Sequence, residues 1–223
     1  MMRLQPAFTM WRARSSSRAQ QRTFTAIYER NGWGDEESVS GPGSTLARAA
    51  DYLNDLLAML DAFGVRSLVD APCGDFNWMH RVVAARPLEY TGVDIVKELI
   101  AGRARADAGP GRHFLCLDMT RGELPRADLI LCRDGLVHLS FADARAALRN
   151  FKRSGSRLLL ATTFVDRTRN RDVRTGGWRP LNLQAAPFHL PSPIALIDEQ
   201  CRHSGGLYRD KHLGLWALDA IDL

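Results

Sequence analysis

The chain lacks any apolar run approaching the roughly 18 residues that a bilayer span needs, so no membrane-crossing helix is expected. Its four cysteines, Cys73, Cys116, Cys132 and Cys201, show no paired spacing of the kind that holds zinc, and no metal site is expected. Three of them fall in or just after apolar stretches that read as buried strands. A reduced thiol there acts as a small apolar side chain, and a reducing, cytoplasmic setting fits. Residues 1–22 contain no acid, but carry Arg3, Arg12, Arg14, Arg18 and Arg22. Removing those five from the 30 basic residues leaves 25 against 25 acidic ones, so the remainder is formally neutral despite the overall +5. Nucleic-acid binders need a basic face on the folded domain, because phosphate neutralisation supplies most of their affinity, and a nucleic-acid partner is therefore disfavoured. The acid-free start reads as a solvated, poorly ordered tail rather than a transit segment.

What is present is an α/β alternation. At 223 residues the chain can bury one sizeable core, and two full domains are not expected. The run Ser67-Leu68-Val69-Asp70-Ala71-Pro72-Cys73-Gly74-Asp75-Phe76-Asn77-Trp78 is an apolar strand ending in an acid, then a tight turn around one glycine, then a helical stretch. That order sets backbone N–H groups and a carboxylate at the carboxyl edge of a sheet, where small molecules bind. The next apolar strand, Tyr90 to Asp94, also ends in an acid about 20 residues on, the spacing of a group that grips a ribose. Further strands are expected near 113–118, 127–133 and 157–164, with helices near 75–85, 96–106 and 141–151 between them. Upstream, Phe24 to Trp33 reads as a short helix and 45–63 as a single helix stopped by Gly64. Residues 165–193, rich in arginine, asparagine, glycine and proline, read as a long loop of the kind that is either functional or disordered, and two more strands close the chain. The organisation is thus a basic tail over 1–22, a helical cover over 23–63, and one domain over 64–223. No signal for an oligomeric state appears.

Over roughly residues 40–220 the chain resembles the class I S-adenosylmethionine-dependent methyltransferases. The resemblance rests on Asp70 before the Pro72-Cys73-Gly74-Asp75 turn, on Asp94, on Asp118 followed by Met119, and on the fourth-strand region Asp128 to Leu139. It implies a Rossmann-like, doubly wound, mostly parallel sheet of about seven strands with an antiparallel last strand, and S-adenosyl-L-methionine as cofactor. Gly43, Ser44, Asp70, Pro72, Cys73, Gly74, Asp75, Asp94, Ile95, Asp118, Met119 and Arg133 are the expected cofactor residues, Asp94 at the ribose and Asp118 at the adenine amine. The flanking Ser40-Gly41-Pro42-Gly43-Ser44 and Gly177-Trp178-Arg179-Pro180-Leu181-Asn182-Leu183 suggest a bacterial branch of that family. The chain departs from the usual three-glycine turn: Pro72 and Phe76 stand at two of the glycine positions. Proline has no backbone N–H, so a contact at Pro72 runs through its carbonyl, and Phe76 reduces close backbone approach.

The acids themselves favour this cofactor over a dinucleotide. An ammonium and a sulfonium suit carboxylates, whereas Asp75 in the turn would repel a pyrophosphate, and no lysine lies in that turn. His138, just past a strand end, is the candidate general base, with a packed and inert histidine as its alternative. Asp134 is expected to accept the ammonium, orient His138 or cap a turn. Asn170, Trp178 and Asn182 in the long loop suit a sugar or other polyol, so the acceptor is expected to be a small molecule or glycan methylated at oxygen. Two other functions fit the same fold. A non-catalytic binding or scaffold module would explain the reduced glycine turn. A nucleic-acid methyltransferase would lack its usual signature, because Arg133-Asp134-Gly135-Leu136 stands where Asn-Pro-Pro-aromatic or Asp-Pro-Pro-aromatic would follow strand four.

Overall fold

A computed structural model describes residues 7–202 and 204–223. Seven strands form one sheet: β1 (Ser67–Asp70), β2 (Glu89–Asp94), β3 (Arg112–Cys116), β4 (Leu129–Cys132), β5 (Leu158–Phe164), β6 (Ala195–Asp198) and β7 (Lys211–Ala217). Their order is β3-β2-β1-β4-β5-β7-β6, parallel through β5, with β7 antiparallel to both of its neighbours. Order reverses between β1 and β4, and ligands of open α/β sheets bind at the carboxyl ends beside such a point.

The helices are α1 (Ala7–Glu29), α2 (Leu46–Ala50), α3 (Leu53–Ala62), α4 (Met79–Ala85), α5 (Lys97–Asp107) and α6 (Phe141–Arg153). Alternate strand residues enter two separate cores. Val69, Ile130 and Leu159 face α6, while Leu68, Leu129 and Leu158 face α3 and α4. Burial on both faces explains why β4 and β5 read as unbroken apolar runs. Ser140 caps α6, its hydroxyl accepting from the Asp143 N–H.

Two expectations on the amino-terminal side are corrected. Residues 7–22 belong to helix α1 rather than to a disordered tail; residues 1–6 of that expected tail lie outside the described residues. Ala7–Glu29 contains neither glycine nor proline, and its second half is anchored: Gln20 is buried, and Phe24 packs on the α6 side of the core. The expected single helix over 45–63 is two, α2 and α3, broken at Asp51 and Tyr52. The break buries the Tyr52 ring beneath the Arg133 guanidinium, 4.9 Å from its carbon to the ring centroid.

Candidate active site

Two adjoining cavities open at the carboxyl edge of the sheet, sharing Trp33, Ser40, Arg133, Asp134 and His138 as their common wall. The first is walled by the turns after β1, β2 and β4, the segment after β3, and helix α1. Asp94, at the end of β2, is fixed by backbone donors: Gly74 N–H to Oδ2 at 3.2 Å and Val96 N–H to Oδ1 at 3.0 Å. Each carboxylate oxygen keeps another lone pair for a ligand hydroxyl. Burial raises the Asp94 pKa, opposed by those N–H groups. Gly74 is a glycine for two reasons. Its φ is +54°, and a Cβ there would lie 2.1 Å from the Ser40 hydroxyl oxygen.

Asp70 and Asp118 complete the acid wall. Asp70 is wholly buried and accepts the Tyr90 hydroxyl at 2.9 Å; desolvation drives its pKa up to about 7. Asp118 binds the Thr120 N–H and hydroxyl through Oδ1, while its Oδ2 is buried with no hydrogen-bond partner. The nearest cation to that oxygen, Arg121, stands 3.8 Å away. An orphaned carboxylate oxygen on a cavity wall fits a ligand N–H donor such as an exocyclic amine. Four aspartates line this cavity, Asp70, Asp94, Asp118 and Asp134, and such a set fits a cationic nucleoside.

Where the cavities meet, His138 Nδ1 lies 2.8 Å from the Gly177 carbonyl. That acceptor fixes the proton on Nδ1 and leaves the Nε2 lone pair as the ring's free function. Burial lowers the His138 pKa, against the opposing pull of the Gly177 carbonyl and Asp134, so the ring is neutral near pH 7. Asp134 has a left-handed backbone, φ +52°, held by its N–H to the Thr162 hydroxyl at 2.8 Å. Burial alone would raise its pKa, but the Lys211 ammonium at 2.6 Å and the Arg133 guanidinium outweigh burial and set it at about 2.

The sequence comparison agrees with this layout. Residues 69–155 match the profile of a methyltransferase-domain family, and they run from β1 through α6. Over those residues the chain is similar to a methyltransferase domain. No curated protein matches its sequence significantly. Solved structures similar to this chain include the cyclase SpnF, at 23% identity and TM-score 0.49 over 66% of this chain and 56% of that one. Human N-acetylserotonin methyltransferase in complex with S-adenosylmethionine is similar at 17% identity and TM-score 0.48, over 63% of this chain and 41% of that one. CalS10, an amino pentose methyltransferase from Micromonospora echinaspora, is similar at 22% identity and TM-score 0.43, over 50% of this chain and 49% of that one. The chain thus spans about half the length of these structures.

A methyltransferase domain implies S-adenosylmethionine as cofactor, and the acid wall of the first cavity fits it. Ser44, Asp70, Pro72, Cys73, Gly74, Asp94, Ile95, Asp118, Met119 and Arg133 line that cavity, as do Asp134 and His138. Gly43 does not: it lines the second cavity, where a Cβ would approach Asp134 Oδ2 to 3.3 Å. Asp75 is also outside the cofactor cavity. Its carboxylate ties down the preceding loop, accepting the Ser38 hydroxyl at 2.8 Å, the Val39 N–H at 3.0 Å and the Ser40 hydroxyl at 3.1 Å. The turn aims it at residues 38–40 rather than at the ligand. Phe76 does not crowd the cofactor either; its φ of +62° drops the ring into the core against Tyr90 and Phe114.

The second cavity has a volume of about 310 Å³, and Phe164, Trp178 and Tyr208 form its aromatic side. Trp178 meets Tyr208 edge-on with centroids 5.1 Å apart, and remains 43% exposed. Asn170 and Asn182 line neither cavity. Asn170 Nδ2 donates to the Asn182 and Ala186 carbonyls, and Asn182 Nδ2 to the Arg167 carbonyl, so both lock the long loop onto itself. Sequence reasoning missed Glu199 and Lys211. Arg133 donates to Glu199 Oε2 through Nη2 at 2.6 Å and Nε at 3.0 Å, and Lys211 reaches the same oxygen at 3.1 Å. Neither residue sits in a motif; a lysine opening a mostly apolar strand was the available signal. It missed the α1 contribution too: Gln20, Phe24 and Tyr28 line the first cavity.

Proposed function

We propose that this chain transfers a methyl group from S-adenosylmethionine to a hydroxyl oxygen of a small-molecule or glycan acceptor seated in the second cavity. The observation that carries this reading is the His138 tautomer. With Nδ1–H committed to the Gly177 carbonyl, Nε2 is left to accept a proton on the wall common to both cavities. When bound, the cofactor supplies an electrophilic methyl on a cationic sulfur. Asp94 would hold the ribose hydroxyls, Asp118 Oδ2 would accept from the adenine amine, and Asp70 would receive the amino-acid ammonium. As the acceptor oxygen attacks that methyl, its O–H bond would break toward His138 Nε2, and the proton would end on the imidazole. The methyl–sulfur bond would break with its electron pair left on sulfur, so S-adenosylhomocysteine would be the leaving group. Alignment of the two cavities supplies the remainder of the acceleration.

Asp134 is a positioning residue in this scheme. Its charge opposes the loss of basicity that burial imposes on His138, and Lys211 keeps it ionised. Calorimetry with S-adenosylmethionine, followed by label transfer from methyl-labelled cofactor to a small-molecule extract, tests the reading. The wild-type protein should bind and label; His138→Ala should bind without labelling. Absence of binding by the wild type, or equal labelling by the variant, overturns it.

A further inference from the structure

We infer that Gln20, on the amino-terminal helix, is a cofactor-binding residue, and that α1 forms the closing wall of the nucleoside site. This rests on the reading of the first cavity as the S-adenosylmethionine site. Gln20 is 5% exposed, lines that cavity, and its amide nitrogen Nε2 is buried without a hydrogen-bond partner. A buried amide donor left without an acceptor is costly and uncommon, and it is satisfied where a ligand supplies the missing atom. The adjacent residue places it. Gln21 Nε2 donates to the Ile95 carbonyl at 3.1 Å, one residue beyond Asp94, which fastens α1 to the end of β2. Phe24, Tyr28 and Trp33, further along the same segment, add aromatic surface to the cavity.

The chemistry expected of the ligand follows from two unmatched groups in one cavity. Asp118 Oδ2 needs a donor, and Gln20 Nε2 needs an acceptor. An adenosine moiety offers both, an exocyclic amine for the acid and ring nitrogens or ribose oxygens for the amide. Glutamine is a natural partner for adenine because its amide matches the paired donor and acceptor of that base. The strand-end acids alone would present only acceptors, so α1 adds an unmatched neutral side-chain donor to that wall.

Titration of S-adenosylhomocysteine into the wild-type protein and Gln20→Leu tests this, together with thermal melting of both proteins without ligand. Leucine keeps the volume and removes the unmatched donor. The expected result is a dissociation constant raised about five- to ten-fold in Gln20→Leu, the usual worth of one hydrogen bond, while the ligand-free melting temperature holds or rises. Gln21→Ala should hasten S-adenosylhomocysteine dissociation by loosening the tie to Ile95. Gln20→Leu binding within twofold of the wild type overturns the assignment, as does loss of ligand-free stability with affinity unchanged, the mark of a purely structural glutamine. Failure of the wild type to bind at all instead removes the cofactor reading beneath it.

Discussion

On the β3-β2-β1 side of the sheet, Asp94 and Asp118 are held by backbone N–H groups; from β4 outward, the charged groups facing the cavities are held by one another. Asp94 is fixed by the N–H groups of Gly74 and Val96, and Asp118 by the N–H and hydroxyl of Thr120. Across the switch, Arg133 and the half-buried Asp134 meet the buried Glu199 and Lys211 in a quartet of two cations and two anions. Backbone-fixed acids make a rigid ligand cradle that depends on little else. A mutually neutralised quartet leaves no spare charge for an ionic acceptor, but removal of any member exposes the others. The cofactor half should therefore tolerate change in the acceptor half, and the quartet should fail as a unit.

The largest expected effect falls on the wall between the halves. His138→Ala should lower the methyl-transfer rate by about 10²–10⁴-fold with little change in cofactor affinity, measured in single turnovers. Because burial holds the His138 pKa below its usual 6.5, the wild-type rate should be flat through neutrality and fall only in acid, as the ring takes up a proton. Lys211→Met tests the quartet itself. Leaving Asp134 and Glu199 underpaired should cost about 3–5 kcal/mol in urea unfolding. In the wild type, Asp134 contributes stability that is complete above its ordinary 3.8 and disappears as pH falls toward about 2. In Lys211→Met that acid limb should move upward. Unchanged stability would mean that the quartet is not a unit and that the two halves are built alike.

The same contrast explains what could be read from the chain. Asp70, Asp94 and Asp118 could be placed on one sheet edge from the sequence because strand, acid and turn follow one another within a few residues. Trp178 could be placed in the long loop from composition, and the structure puts it on the second cavity. Asp75 and Asn182 were misjudged because residue type alone does not say which way a turn aims a side chain; both satisfy their own loops. Glu199 and Lys211 reach Arg133 and Asp134 across 66 and 77 residues of chain, and no local pattern encodes such a contact. The helix over 7–22 was hidden by its arginine and serine content, since the buried anchor at Gln20 belongs to tertiary packing rather than to propensity.

A smaller effect, confined to the cofactor half, is a pH dependence of binding. The Asp70 pKa of about 7 lies above its ordinary 3.8, so the folded protein holds this proton more tightly than the unfolded chain does. Its burial therefore disfavours folding progressively as pH rises from 3.8 to about 7. Cofactor binding takes the opposite sign. The ammonium requires the carboxylate, so affinity for S-adenosylhomocysteine should fall up to about ten-fold for each pH unit below 7. Calorimetry across pH 5 to 8 should show that slope in the wild type and lose it in Asp70→Asn. A parallel slope in Asp70→Asn would place the ammonium elsewhere on the wall.

The mildest perturbation separates the halves most cleanly. Trp178 is 43% exposed and meets Phe164 and Tyr208 edge-on, with centroids 6.2 and 5.1 Å away, so its removal leaves no sealed cavity. It belongs to the second cavity and not to the first. Trp178→Ala should raise the acceptor KM by about two- to ten-fold, the worth of one aromatic contact, with kcat and the cofactor dissociation constant near wild type. A matching loss of cofactor affinity would show that the disturbance passes through Arg133 and Asp134, which face both cavities. In that case the quartet would be a coupling element between two sites, and the acceptor's arrival would be felt at the sulfonium before any bond changes.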